Sequence, residues 1–298
     1  MNISNTYKPI DPIEIHSIQE LFSIILDENT AGNKWFRGQA DIDYPLLPSV
    51  IRRAQILEDQ FGRRVKPHPI EVFSTYDESC VIPDEIYINH FMRLMKNKGL
   101  YRKPMSSIRF LCLAQHYGVR TKLLDWTTDA IVALFFALDG RKEDKSAGFY
   151  ILDPIAFNKN MGLEEKIYDI DDIPEQIYHP IAFYGPKTDV RMCRQSGNFI
   201  IYGCTPILPI DYFYVAKEFL KRIKIPSSVC LELQSILNGL GITKESIYVI
   251  DDEKDTIALE ARKLTEEEFD KQLKVWTEEW ENDPQKGIQN HLYFDIEL

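Results

Sequence analysis

The sequence predicts an α+β fold, a mixed sheet of short strands surrounded by helices. Two runs, Gly148-Phe149-Tyr150-Ile151-Leu152 and Asn198-Phe199-Ile200-Ile201-Tyr202, read as strands: β-branched and aromatic residues dominate them, and Asp153-Pro154 and Gly203 close them. Other stretches carry apolar residues at helical spacing, most clearly Ile131, Leu134, Phe135 and Leu138. The 298 residues are 44% hydrophobic and 27% charged, ordinary for a globular chain with a sizeable core.

In chain order, residues 12–30 read as a helix with Ile13, Ile15, Ile18, Leu21, Phe22 and Ile25 on one face, ended by Gly32-Asn33. Trp35-Phe36-Arg37-Gly38 follows as a short strand, then an irregular stretch with Pro45 and Pro48. A helix is expected over 87–98 and a buried one over 106–117, stopped by Gly118. Residues 121–124 are extended, and Asp125 or Thr127 caps the next helix, where Ala130, Ala133 and Ala137 let a neighbour come close. The polar residues 158–190 read as a long loop, and 212–223 as strand then helix. A helix over 227–240 ends at Gly241, a short strand spans 247–250 and a helix 256–263. Thr265 with Glu268 forms a capping box for a last helix striped by Phe269, Leu273, Trp276 and Trp280. The division expected is a domain over 31–263 with helical extensions at 1–30 and 264–298.

Lys and Arg total 35 against 46 Asp and Glu, a net charge of -11. That balance opposes non-specific binding to nucleic acid or an anionic membrane, though it permits a local basic groove. The five cysteines (Cys80, Cys112, Cys193, Cys204, Cys230) are scattered without a C-x-x-C pair, so neither a disulfide framework nor a metal site is expected. The first residues lack an apolar signal core and no apolar run is long enough to span a bilayer, so the expectation is a reduced, cytoplasmic protein.

Chemistry-bearing residues cluster in three places. Arg37, between Phe36 and Gly38-Gln39, could grip a phosphate or carboxylate with two parallel bonds, with Gly38 letting backbone approach the ligand. Equally, Arg37 could pair with a core carboxylate such as Asp125. His116-Tyr117 ends a helix, and the imidazole suits acid–base work or donation to a ligand as well as it suits the helix's free carbonyls. Asp125-Trp126-Thr127 opens a buried helix; a helix start attracts anions and Trp126 offers a flat face to a ring, while a cap with a packed Trp explains the same residues. Arg194-Gln195-Ser196-Gly197 leads into a strand and suits a cleft edge or a plain turn. There is no nucleophile elbow, P-loop or G-x-G-x-x-G.

Four blocks resemble the FRG domain family, bacterial and phage proteins named for a Phe-Arg-Gly motif. They are Phe36-Arg37-Gly38-Gln39 with Leu47-Pro48-Ser49, residues 114–127, residues 133–137, and Gln195-Ser196-Gly197-Asn198-Phe199; together the likeness spans about 35–262. Tyr117 stands where a second His is common, Arg120 where Pro is common, Gln195-Ser196 in place of a Gln pair, and Val249-Ile250-Asp251 in place of a Phe-Pro-Asp-like ending. The order of an early Arg-Gly strand, a Thr-bearing strand feeding a buried helix, and a late polar pair also resembles the ADP-ribosyltransferase plan. That second resemblance implies NAD as substrate without a metal. Arg37 would hold its phosphate or ribose, Thr121 or Thr127 would line the nicotinamide pocket beside Phe36, Gly38, Gln39, Tyr117 and Trp126, and Gln195 would take the late position. Gln195 carries no charge and cannot stabilise a developing cation, a task that falls to Asp125 or another carboxylate. The function expected is an NAD-consuming toxin or phage-defence effector with His116 also in the catalytic set. The alternative is a non-catalytic module that binds a nucleotide or other anion, and a third reading makes the same residues a buried polar network. The macromolecular acceptor is left open.

Overall fold

The computed structural model describes residues 8–30, 32–52, 55–59, 64–68, 80–81, 85–99, 101, 105–174, 176–186, 197–203, 208–248 and 252–282. The chain is α+β, with a mixed seven-stranded sheet and helices among the described residues. It divides into two compact units, the first made of 1–47, 123–201 and 209–251, the second of 48–122, 202–208 and 252–298.

The first unit holds the large sheet. Its strands are β1 (Ile13–Glu14), β2 (Trp35–Gln39), β6 (Leu123–Thr127), β7 (Ala147–Leu152), β8 (Ile181–Tyr184), β9 (Gly197–Ile201) and β10 (Leu220–Ile225). They run in the order β1-β10-β7-β2-β6-β9-β8, parallel for β1 with β10 and antiparallel elsewhere. All six residues of β7 are buried, so both faces of this strand are covered. Helix α4 (Ala130–Leu138) is apolar on nearly every side and lies on this sheet, in one core with α1 (Ile18–Thr30) and α6 (Ser227–Gly239).

Several expectations shift. The helix at the N-terminus starts at Ile18, and Ile13, at 39% exposure, lies in β1 instead of on the helical face. Residues 158–190 contain β8 and the end of α5 (Pro154–Asn160), which is capped by the Asp153 carboxylate with proline in its first turn. After two 3-10 turns, Ile210–Tyr212 and Ala216–Glu218, the end of the run over 212–223 is strand, not helix; β10 has buried residues on both faces, Arg222 and Ile223 side by side, so no period-2 pattern marks it in the sequence. Ile247 closes a short helix, α7 (Lys244–Ile247), where a strand was expected.

The second unit contains a three-stranded sheet in the order β4 (Arg64–His68), β3 (Gln55–Asp59), β5 (Cys80–Val81), with α2 (Glu85–Asn97), α3 (Ser107–His116) and α8 (Asp252–Asn282). The capping box at Thr265 does not form. The Thr265 side chain is fully buried and donates to the Ala261 carbonyl at 2.5 Å, so one helix runs through where two were expected. The side chains of Phe269, Trp276 and Trp280 lie outside the described residues. Among the described residues no helix is long and apolar enough to cross a membrane, and no group of His, Cys, Asp or Glu could hold a metal ion.

Candidate functional site

Alternation along β2 sends Phe36 and Gly38 toward α4, and Trp35, Arg37 and Gln39 to the opposite face. Phe36 is fully buried and stacks on Phe149 at 5.9 Å. A Cβ on Gly38 would lie 2.0 Å from the Ala133 carbonyl oxygen and 2.3 Å from the Ala137 nitrogen. The missing side chain at Gly38 therefore admits a helix backbone, where the sequence suggested a ligand.

Arg37 stands next to the short pairing of β2 with β6. β2 pairs with β7 along its whole length but meets β6 at a single position, Phe36 opposite Thr127. Beside that position, Arg37 Nη1 donates to the Asp125 main-chain oxygen at 2.7 Å and lies 3.9 Å from Asp125 Oδ2. The two side chains differ in exposure, 12% for Arg37 and 53% for Asp125, so a shielded cation borders a carboxylate open to solvent.

Asp125, Trp126 and Thr127 lie in β6, not at a helix start. The cap of α4 is Asp129, whose Oδ1 accepts from Ile131 N at 2.8 Å and Val132 N at 3.3 Å, while Thr127 Oγ1 accepts from Asp129 N at 3.0 Å. This corrects the capping assigned to Asp125 or Thr127 and leaves the Asp125 carboxylate without that duty. Trp126 is 2% exposed, and its indole nitrogen has no hydrogen-bond partner among the described residues. Trp35, from β2, brings its ring within 6.3 Å of the exposed Tyr184.

Sequence reasoning missed a row across three strands. Arg37 is opposite Tyr150 in β7, and Tyr150 is opposite Arg222 in β10. Tyr150 is fully buried, and burial, reinforced by the Asp211 carboxylate, raises its phenol well above the usual range. Gln39 is also buried and donates to the Tyr44 carbonyl at 3.3 Å. Asp129 was legible, since it directly precedes an apolar run; Arg222 was not, because it stands between lysines in Leu-Lys-Arg-Ile-Lys-Ile and nothing in that pattern marks it as inward-facing.

His116, Tyr117 and Thr121 belong to the second unit. His116 ends α3 with its ring edge-on to Tyr117 at 4.9 Å, and Tyr117, buried, closes the helix before Gly118 turns at φ +75°. Thr121 is fully buried and its hydroxyl donates to Gln115 Oε1 at 2.5 Å. Arg120 pairs with Glu266 and donates to the Ser49 carbonyl at 3.1 Å. Gln195, with Arg194 and Ser196, lies outside the described residues. The structure thus brings Arg37 together with Asp125, while Phe36 and Gly38 turn to the core.

Residues 32–146 match the model of the FRG domain. The match takes in Arg37, His116 and Asp125 and stops before β7, Gln195 and β10. Comparisons with curated proteins and with solved structures return no match, so the likeness to ADP-ribosyltransferases rests on the order of residues alone.

Proposed function

We propose that this chain, whose residues 32–146 match the FRG domain, binds NAD beside Arg37 and Asp125 and breaks its nicotinamide–ribose bond in the manner of an ADP-ribosyltransferase. One observation carries the reading: the shielded Arg37 cation faces the exposed Asp125 carboxylate at 3.9 Å. A guanidinium has five N–H donors in a fixed fork suited to the pyrophosphate. As the C1′–N bond breaks, nicotinamide departs with the electron pair and positive charge spreads over the ribose ring. The Asp125 carboxylate stabilises that charge until water or an acceptor nucleophile adds at C1′. Such turnover drains the NAD of a cytoplasm, which suits a toxin or a phage-defence effector.

The bond from Arg37 to the Asp125 carbonyl favours a second reading, in which the guanidinium braces the sheet and the surface binds a nucleotide or other anion without turnover. Incubation with NAD and measurement of released nicotinamide separates the two. Asp125→Asn keeps the main-chain oxygen that holds Arg37, so the variant should fold as the wild type does while release falls by about a hundred-fold. Arg37→Ala should weaken NAD binding. Release by Asp125→Asn at the wild-type rate sinks the catalytic assignment, and calorimetric NAD binding without release moves the protein to the second reading.

A further inference from the structure

The segment that follows β2, residues 41–46, passes Tyr150 and Arg222 of the row Arg37–Tyr150–Arg222, and one buried ion pair supplies several of the ties that hold it, beside the Lys145–Asp41 ion pair at 3.1 Å. Arg222 Nη2 donates to the Ile42 carbonyl at 2.8 Å and Nη1 to the Ile10 carbonyl at 3.3 Å. Asp211 accepts from the Leu46 amide, and the Ile210 amide donates to the Leu46 carbonyl at 3.3 Å. Tyr150 Oη donates to the Ile42 carbonyl at 3.5 Å, Gln39 to Tyr44, and the Ile42 amide to the Ser146 carbonyl at 3.0 Å. Asp211 is 1% exposed and Arg222 7%, yet Arg222 Nε stands 3.7 Å from Asp211 Oδ2, beyond a hydrogen bond. Neither Arg222 Nε nor Asp211 Oδ1 has a hydrogen-bond partner among the described residues. A buried carboxylate held this loosely is poorly compensated as an anion.

We propose that Asp211 and Arg222 form a proton-sensitive clasp that pins residues 41–46 across the sheet beside Arg37. The groups facing the pair are Tyr150 from β7, itself influenced by Arg37, and Tyr212, influenced by Asp43 of the pinned segment. Burial raises the Asp211 carboxyl to about 6, with Arg222 opposing. A carboxyl raised above its unfolded value binds its proton more tightly in the fold, so its stabilising contribution is complete below the unfolded value of 3.8 and is lost as pH rises through about 6. The fold therefore gains stability on acidification, as burial of the Asp211 carboxyl favours its neutral form, opposite to a carboxylate held in a strong ion pair.

Urea unfolding of the full chain at pH 7.5 and pH 5 tests this, with Asp211→Asn and the smaller Asp211→Ser as neutral references. Relative to either reference, the folded-to-unfolded ratio of the wild type should rise about tenfold between the two pH values. Parallel behaviour of wild type and the folded reference overturns the proposal. The pinning is tested separately at pH 7.5 by chymotrypsin, for which Tyr44, 51% exposed, is a site in the segment. Arg222→Met should be cut at Tyr44 several-fold faster than wild type, and an unchanged rate overturns the clasp. Neither readout uses NAD, so the result is independent of the catalytic reading.

Discussion

Replacing Gly38 by alanine adds one methyl group to a residue whose neighbours are helix backbone. The new Cβ would lie 2.0 Å from Ala133 O, 2.3 Å from Ala137 N and 2.9 Å from Ala137 Cα. Ordinary contacts between such atoms need more than 3 Å, so α4 must retreat from β2 by about 1 Å or more. No rotamer change relieves this, because the obstacle is main chain on both sides. The retreat loosens seven buried residues of α4, Ala130, Val132, Ala133, Leu134, Phe135, Ala137 and Leu138. A methyl inserted into a packed core costs about 1–3 kcal/mol where side chains can move. With rigid backbone opposing it, the cost should reach about 3–5 kcal/mol, in the range tied to gross core disruption. Urea unfolding followed by circular dichroism reads the change as a lowered midpoint at unchanged slope. A Gly38→Ala protein within 1 kcal/mol of wild type would refute the argument and return Gly38 to the list of residues that serve a ligand.

Two more predictions concern the elements flanking the site. Asp129→Ala removes two bonds to the first turn of α4 and should cost about 1 kcal/mol by the same unfolding assay, whereas Asp125→Ala, which caps nothing, should cost less. Thr121→Val keeps the shape of a fully buried side chain but deletes its donation to Gln115 Oε1. The expected loss is about 1–3 kcal/mol, and a neutral result would show that the hydroxyl is dispensable to the second unit.

Much of the scaffold was legible because local chemistry decides it. The turn at Gly118, the strands around Tyr150 and Phe199, and the apolar character of α4 follow from residues within a few positions of one another. Thr265 shows the limit of that legibility: a hydroxyl can cap a helix or bond back to a carbonyl four residues earlier, and burial selected the second. The strand at 220–225 shows another, since it buries residues on both faces, Arg222 and Ile223 side by side, and carries no period-2 pattern to read.

The fold class, the likeness to the FRG domain and the prominence of Arg37 and Asp125 are legible in the residues alone, because aromatic, glycine and charged residues crowd there beyond what a core requires. Their duties come from contacts between distant segments. Packing and strand pairing give Gly38 to α4, release Asp125 from capping, set Arg37 against the Asp125 carbonyl, and align Arg37 with Tyr150 and Arg222 from strands far apart in the chain. The physical reason is register. Which residues face one another across a sheet, and where two strands part, depends on pairing between distant segments, and no local pattern encodes it.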